Sequence, residues 1–222
     1  MQISSGMTCL VNAVQSGQIT VAAGAALSVT NSSVNGTVTA TSPSSITYCG
    51  TTQSGGLKIT GAADAVTIGG TTAAGSCAAD TINGSVTVTG TAGPLTVNGL
   101  REAGTLTLSG NTDGVDAEGI QLSGALTISG TTGPVTVSGL TEAGPLTLSG
   151  NTGGVDLSGI QLNGTAHVQS NTGTAPVTVS GNTINGSLSC TGNTPAPNDN
   201  GTVNTVSGGG TGQCADLAVR SS

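Results

Sequence analysis

The fold is decided by residues 84–163, which read GSVTVTGTAGPLTVNGLREA (84–103), GTLTLSGNTDGVDAEGIQLS (104–123), GALTISGTTGPVTVSGLTEA (124–143) and GPLTLSGNTGGVDLSGIQLN (144–163). These stretches repeat nearly the same pattern with a period of twenty residues. A fixed period in the twenties is typical of a solenoid, because one such unit cannot bury its apolar face alone. We therefore expect one elongated repeat domain.

Within each repeat, aliphatic residues alternate with small polar ones, as in the run from Leu106 to Ser109. Alternation with a period of two predicts strands, and the Gly, Asn, Asp, Thr and Pro residues that bound each run predict turns. Three short strands per repeat would pair with their equivalents about 4.8 Å away in neighbouring coils. The predicted fold is all-β: a single-stranded parallel β-helix, right-handed by the preference of parallel crossover connections.

One pair of inward columns can be followed through about nine coils of roughly 20 residues. Its members are Ile19 and Val21, Val38 and Ala40, Leu57 and Ile59, Val86 and Val88, Leu106 and Leu108, Leu126 and Ile128, Leu146 and Leu148, Ala166 and Val168, and Leu188 and Cys190. We predict an N-terminal end or cap at 1–16, solenoid coils at 17–189 with a loop insertion at 70–80, and a disulfide-stapled C-terminal cap at 190–222.

The dipeptide Asn-Gly recurs along the chain, at Asn35, Asn83, Asn163, Asn185 and Asn200. We expect tight corners with positive φ at these positions, because Asn and Gly tolerate that conformation. Each also forms an Asn-x-Ser/Thr sequon, so glycosylation is the alternative interpretation.

Composition excludes several classes of function. Only 6% of residues are charged, the net charge is −7, and Lys and Arg together number three. Nucleic-acid binding is excluded, because it needs clustered basic residues and aromatic side chains for base stacking. The sequence has no run of eighteen apolar residues, so we predict no membrane span.

Five cysteines indicate the redox compartment. Cys190 lies in an inward column and Cys214 in the aperiodic tail, so a bridge between them would close the end of the core. Cys49 at an outward corner and Cys77 in the insertion form a second expected pair. Cys9 is left over, and the alternatives for it are a free thiol, the replacement of one of the proposed partners, or a link between molecules. Two disulfides would place the protein in an oxidising environment, secreted, extracellular or on the cell surface. The alternative is a set of small buried thiols in a cytosolic protein.

Residues 182–214 read NTINGSLSCTGNTPAPNDNGTVNTVSGGGTGQC. This stretch resembles a tail found in secreted actinobacterial β-solenoid repeat proteins of uncharacterised function. The similarity continues through the NG-x-[VL]-[TS] repeats and the segment TYCGTT at 47–52. The resemblance implies an exported repeat protein and implies no particular activity.

Catalysis would need convergent titratable groups, and the repeats carry only Glu102, Asp113, Asp116, Glu118, Glu142 and Asp156. Asp116 and Asp156 lie in the same outward column, two coils and therefore about 9 to 10 Å apart. The two catalytic carboxylates of an inverting glycosidase could be separated by about this distance. Asp113, Asp116 and Glu118 could instead recruit calcium. The simplest interpretation is a solvated acidic stripe. The one histidine, His167, is expected on the surface, and we predict no enzyme activity, catalytic residue, metal or cofactor.

Threonine and serine fill two outward columns of one strand, so that this face reads T-x-T. The candidate surface-binding residues are Thr39, Thr41, Thr87, Thr89, Thr107, Ser109, Thr127, Ser129, Thr147 and Ser149. A regular threonine lattice resembles the ice-binding face of β-solenoid antifreeze proteins. The alternative is that this face binds no ligand, because threonine is β-branched and polar and is therefore common at the outward positions of exposed strands.

The sequence therefore predicts a non-enzymatic, secreted structural or cell-surface module, such as a rigid rod, coat, adhesion or fibre-forming subunit. Ice binding through the T-x-T face is the first alternative, and carbohydrate binding or polysaccharide cleavage the second. The candidate partners are other copies of the chain, stacked end to end because exposed strand edges template pairing, or components of the cell envelope.

Overall fold

The computed structural model describes residues 1–72 and 75–219. The chain winds into about ten turns that build three parallel sheets, here called sheets A, B and C, and each turn up to Val177–Ser180 contributes one strand to each sheet. The described residues contain no α-helix. The predicted all-β parallel β-helix is therefore confirmed, with about one turn more than the nine expected.

The strands are short and recur in the order A, B, C along the chain. Sheet A contains Gln2–Ile3, Ile19–Val21, Val38–Thr41, Leu57–Thr60, Val86–Thr89, Leu106–Ser109, Leu126–Ser129, Leu146–Ser149, Ala166–Gln169, Leu188–Thr191 and Gly210–Gly212. Sheet B contains Met7–Val11, Ala26–Thr30, Ile46–Cys49, Val66–Gly69, Leu95–Asn98, Val115–Glu118, Val135–Ser138, Val155–Ser158 and Val177–Ser180. Sheet C contains Val14–Ser16, Ser33–Asn35, Thr52–Gln53, Thr81–Ile82, Arg101–Glu102, Gln121–Leu122, Thr141–Glu142, Gln161–Leu162, Thr183–Ile184, Asn204–Val206 and Ala218–Val219.

Equivalent residues of successive coils stack directly on one another. In sheet A, Leu126 aligns with Leu106 on one side and with Leu146 on the other, and all three are fully buried. The outward neighbour Thr127 stays partly exposed. The predicted inward columns are thus correct from Ile19 to Cys190. Tyr48 is also buried, and its hydroxyl donates to Oε1 of Gln53 at 2.9 Å.

Glycines serve two distinct purposes at the coil corners. Gly110, after a sheet A strand, has φ +63°, a conformation that side chains with a Cβ rarely adopt. Gly104 has no positive φ, but a Cβ there would lie 2.8 Å from the backbone nitrogen of Ser85 in the preceding coil. Close packing against the backbone of the preceding coil explains the glycine in most of the Asn-Gly dipeptides. The expected positive φ occurs only at the pair Asn200 and Gly201 and is wrong at the other four, where Gly36, Gly84, Gly164 and Gly186 lie against the preceding coil.

Buried asparagines stack inside one row of corners. The amide of Asn151 donates to Oδ1 of Asn171 at 2.9 Å, and that of Asn171 donates to Oδ1 of Asn193 at 3.0 Å. The amide of Asn193 in turn donates to Oε1 of Gln213 and to the carbonyl of Val168. The ladder satisfies backbone groups that the turns leave unpaired inside the rod.

The insertion at 70–80 leaves the strand register intact. The step from Leu57 to its partner Val86 takes 29 residues, whereas the step from Val86 to Leu106 takes 20. Thr71–Thr72 pairs antiparallel with Gly75–Ser76, apart from the three main sheets. Residues 73 and 74 lie outside the described residues.

Both expected disulfides are present. Cys49 and Cys77 tie the insertion to sheet B with a Cα separation of 5.0 Å, and Cys190 and Cys214 join the core to the C-terminal region with one of 5.2 Å. Cys9 is free and exposed.

The sheets extend into both segments that we predict as terminal caps. The strands Gln2–Ile3, Met7–Val11 and Val14–Ser16 begin the three sheets. At the other end, sheets A and C continue to Gly210–Gly212 and Ala218–Val219, beside a 3₁₀ turn at Ala215–Leu217. Residues 220–222 lie outside the described part of the chain.

Replacing Leu126 with Asp should lower the free energy of unfolding by more than about 3 kcal/mol, because the carboxylate would enter a dry core. The outward neighbour provides the matched control, and Thr127→Asp should change stability by less than about 0.5 kcal/mol. Urea denaturation of both variants checks this. Equal stability of the two variants would contradict the assigned inward and outward positions.

Reducing the bridge between Cys190 and Cys214, which are 24 residues apart, should cost about 3 kcal/mol through the added freedom of the unfolded chain. Non-reducing peptide mapping identifies the pair, and denaturation of a Cys190→Ser/Cys214→Ser variant measures the effect. The control is Cys9→Ser, which removes an exposed thiol and should leave stability unchanged. Unchanged stability of the double variant would contradict a structural role for this bridge.

Candidate functional site

Sheet A presents the predicted threonine face to solvent. Parallel pairing aligns the first outward column, which consists of Thr39, Thr87, Thr107, Thr127 and Thr147. The second column lies two residues along each strand and contains the predicted Thr41, Thr89, Ser109, Ser129 and Ser149, with Thr60 between Thr41 and Thr89. These side chains are half-buried or exposed, so their hydroxyl and methyl groups form a regular surface with a repeat of about 4.8 Å along the rod.

The regular part of this face covers four coils. Lys58 stands between Thr39 and Thr87 in the first column, and His167 follows Thr147. His167 faces outward and is partly exposed, in line with its expected surface position. The hydroxyls of Thr89 and Ser109 lie 3.3 Å apart, within hydrogen-bonding distance. The candidate lattice therefore extends from the coil of Thr87 to that of Ser149.

Sheet B carries the acidic column. Its register aligns Asp116 with Thr136 and Thr136 with Asp156, and both carboxylates are exposed. Asp116 lines a depression of about 270 Å³ between Pro94 and Pro134, whereas Asp156 lines a separate one of about 300 Å³. The two carboxylates thus face different depressions and do not share one. Among the described residues, no three acidic, Cys or His side chains are grouped closely enough to hold a metal ion, so Asp113, Asp116 and Glu118 form no calcium cage.

Two other acidic side chains of the repeats lie inside the rod, whereas Asp116 and Asp156 are exposed on sheet B. Glu102 and Glu142 belong to sheet C strands and are only 4% and 1% exposed. Oε1 of Glu102 accepts from the backbone N–H of Val86 at 2.9 Å, and Oε1 of Glu142 accepts from that of Leu126 at 2.7 Å. The second oxygen of each carboxyl has no hydrogen-bond partner among the described residues. These carboxyls therefore occupy a structural position and are not available to solvent.

Burial governs the protonation of both groups. Burial raises the pKa of Glu102 to about 7, although the hydrogen bond from Val86 lowers it in part. In the same way, burial raises the pKa of Glu142 to about 8, against the lowering effect of the hydrogen bond from Leu126. Both pKa values lie near neutrality because a charged carboxylate loses its hydration inside the rod. A neutral carboxyl is therefore the favoured form in mildly acidic solution.

A signal for these two positions exists in the sequence. The inward column of sheet C consists of Gln53, Ile82, Glu102, Leu122, Glu142 and Leu162. From Glu102 to Leu162, glutamate and leucine alternate from coil to coil along this column. The repeating unit is therefore a pair of unlike coils, and it occurs twice, at residues 84–123 and 124–163. Sheet C strands of two residues are too short to display the alternation that identified the inward positions in sheets A and B.

A third buried carboxyl lies beside the insertion. Asp80 is fully buried, and its Oδ1 accepts from the backbone N–H of Thr51 at 2.6 Å. Burial raises the pKa of Asp80 to about 6, although this hydrogen bond opposes the shift. Burial and the charge of Asp80 also raise the pKa of Tyr48 above its usual range. Asp80 thus anchors the end of the insertion to the corner after Cys49.

Sheet C also has an outward depression of about 310 Å³ around Arg101. Thr81, Gln121 and Thr141, from neighbouring coils, line it together with Arg101. The depression is open and has a single basic side chain.

Comparison with protein-family models, with curated proteins and with solved structures finds no match. Within the described residues, no helix is long and apolar enough to cross a membrane.

The buried glutamates should make the rod less stable at alkaline than at acidic pH. Because their pKa values are raised in the folded state, the folded chain binds more protons than the unfolded chain, and stability falls as pH rises from about 4.5 towards 8. Between pH 6 and 8 we expect a loss of about 2 kcal/mol or more. Urea denaturation at a series of pH values measures it.

The double variant Glu102→Gln/Glu142→Gln should flatten this dependence between pH 6 and 8 and stabilise the rod at pH 8, whereas Asp80 keeps its own effect at lower pH. Glutamine is compatible with the column, since Gln53 occupies an equivalent position and donates to the carbonyls of Gly55 and Gly56. Glu118→Gln, on the exposed face of sheet B, is the control and should leave the profile unchanged. A double variant that keeps the wild-type profile would contradict the assignment.

Proposed function

We propose that the protein is a non-enzymatic structural module that acts outside the cell or on its surface as a rigid rod. The observation that carries this proposal is the uninterrupted register of three parallel sheets with eleven, nine and eleven strands. A stack of about ten turns is on the order of 50 Å long. Such an object suits spacing, coating or adhesion, and components of the cell envelope are its candidate partners.

The disulfides support an extracellular location. One bridge fixes the insertion to sheet B, and the other fixes the C-terminal region to the last coils, so each closes a segment that departs from the regular repeat. Structural disulfides persist in oxidising compartments. The resemblance to secreted actinobacterial repeat proteins points to the same location, and export remains part of the proposal.

The non-enzymatic part of the proposal rests on how the strands distribute polar groups. Parallel stacking spaces the outward carboxylates Asp116 and Asp156 two coils apart, with Thr136 between them. The remaining acidic groups of the repeats include Glu102 and Glu142, which are enclosed in the rod. An enzyme site needs titratable groups that converge on one reacting atom. A surface of regularly spaced hydroxyls is better suited to contact over an extended area.

Fractionation of the producing organism tests the proposed location. We expect the protein in the culture medium or the cell envelope, with Cys190 and Cys214 joined when thiols are trapped before lysis. A cytosolic protein with free thiols at both positions would overturn the proposal. Turnover of a polysaccharide that is lost in Asp116→Asn or Asp156→Asn would overturn its non-enzymatic part.

Ice binding is a second candidate function, supported by the aligned threonines of sheet A. Parallel pairing places one threonine in each of four successive coils, at Thr87, Thr107, Thr127 and Thr147. Their hydroxyl and methyl groups are therefore evenly spaced, and such a surface could hold ordered water molecules. Lys58 and His167 limit the regular lattice to four coils. This candidate assigns the activity to one face of the rod.

If the threonine face binds ice, purified protein should show thermal hysteresis that Thr127→Leu strongly reduces. The matched control is Thr136→Leu, which makes the same change in an outward position of sheet B and should leave the hysteresis intact. Hysteresis is measured on single ice crystals in a nanolitre osmometer. Its absence in the wild-type protein, or equal loss in both variants, would rule out this candidate.

A further inference from the structure

Two depressions on the outer face of sheet B are equivalent to one another. The first lies between Pro94 and Pro134 and has a volume of about 270 Å³, and the second lies between Pro134 and Pro176 and has a volume of about 300 Å³. Each is centred on a coil that carries glycine where the flanking coils carry proline, Gly114 in the first and Gly154 in the second. We call them the paired depressions.

The alternation of proline and glycine from coil to coil shapes the paired depressions. Gly114 has φ +103°, and a Cβ there would lie 2.7 Å from the carbonyl oxygen of Pro134. Gly154 has φ +95°, and a Cβ there would lie 2.8 Å from the Cβ of Ala175. Neither position accepts a side chain without strain, so the surface is lower at the glycine coils than at the proline coils on either side. The paired depressions are therefore fixed by the stacking of the coils.

Each depression contains an exposed carboxylate at the same position. Asp116 lines the first depression and Asp156 lines the second, and each lies two residues after the glycine. Asp113 adds a second carboxylate to the first depression. Within the described residues, neither Asp116 nor Asp156 has a hydrogen-bond or ion-pair partner. Both carboxylates are therefore free to accept hydrogen bonds from a ligand.

The charge of this face favours a cationic ligand. Lys58 lies on sheet A and Arg101 lies on sheet C, and they are the only lysine and arginine of the described residues. In that part of the chain, sheet B therefore has no lysine or arginine, and the whole sequence has a net charge of −7. A protonated amine beside Asp116 or Asp156 would form a charge-assisted hydrogen bond.

The spacing of the two carboxylates indicates a polymeric ligand. The register places Thr136 between Asp116 and Asp156, so the carboxylates recur every second coil, about 10 Å apart. In an extended β-1,4-linked sugar chain each ring is turned over relative to the ring before it, so groups on one face recur every second sugar, at close to this distance. Side chains on one face of an extended peptide recur about every 6.8 Å and do not match.

We propose that the paired depressions bind a β-1,4-linked polymer of amino sugars with free amines, which lies along the rod. Every second amine contacts Asp116 or Asp156, while the proline rings and the glycine backbone face the apolar sides of the sugar rings. Concave sites with a few fixed polar groups commonly bind ligands in this way. This inference rests on the proposed function, since it names the chemistry of a cell-envelope partner, and it assigns binding without bond cleavage.

Calorimetric titration with a hexamer of glucosamine tests the proposal, in mildly acidic solution in which the sugar amines are protonated. The hexamer can span both depressions, so it should bind at least tenfold more tightly than the dimer of glucosamine, which reaches only one. The hexamer of N-acetylglucosamine has the same backbone without the charges and should bind at least tenfold more weakly. High salt should weaken binding of the glucosamine hexamer, because it screens exposed charges.

Substitutions of the carboxylates test each depression separately. Asp156→Asn removes the only carboxylate among the described residues that line the second depression, and Asp113→Asn/Asp116→Asn removes both from the first. Each change should abolish the advantage of the hexamer over the dimer. Asp216→Asn is the matched control, because it removes an exposed carboxylate in the 3₁₀ turn Ala215–Leu217, and the affinity should not change. Circular dichroism checks that every variant folds.

Several outcomes would overturn the proposal. These are no binding of the glucosamine hexamer, equal affinity for the hexamer and the dimer, equal affinity for the acetylated hexamer, or equal weakening by Asp156→Asn and Asp216→Asn. A peptide of six lysines that binds as tightly as the glucosamine hexamer would assign this face to basic peptides and would overturn it too. Such results would leave the rod function in place, whereas a cytosolic location or polysaccharide turnover would remove the proposed function itself.

Discussion

Parallel hydrogen bonding between equivalent residues of successive coils holds the rod together and restricts everything else in it. Because each strand pairs with its equivalents in the two neighbouring coils, each side chain is stacked between the side chains at the same position in those coils. A column must therefore be filled by residues that stack well, and most inward columns contain Val, Leu and Ile. The same rule arranges Asn151, Asn171 and Asn193 into a ladder that satisfies polar groups inside the corners.

The corners show how tightly this stacking constrains the backbone. At Gly124 a Cβ would overlap the backbone of Gly104, and equivalent glycines recur in the neighbouring coils. Close approach of backbones, and not only φ, therefore explains why glycine is so frequent in this sequence. The outward faces carry no such restriction, so sheet A holds threonine and serine while sheet B alternates threonine with aspartate.

Much of this architecture could be predicted from the sequence, because the twenty-residue period and the two-residue alternation are both visible in residues 84–163. Leu126 and Thr127 were assigned to opposite sides on that basis, and both disulfides followed from the positions of cysteines relative to the coils. The alternation is not visible in sheet C, whose two-residue strands are too short to display it, so the sequence does not reveal that Glu102 and Glu142 face inward. Charge is a poor guide to burial when a raised pKa allows a carboxyl to be neutral.

The insertion between Gly69 and Asp80 illustrates the freedom that remains. It lengthens one coil from 20 to 29 residues, yet the strands on either side keep the register of their neighbours. Loop length has only a weak effect on closure entropy, so a corner can accept extra sequence once its ends are fixed. Here Cys77 and Asp80 fix one end. Such a corner is a natural point for diversification: new recognition loops can be grafted onto the scaffold there without altering how the coils stack.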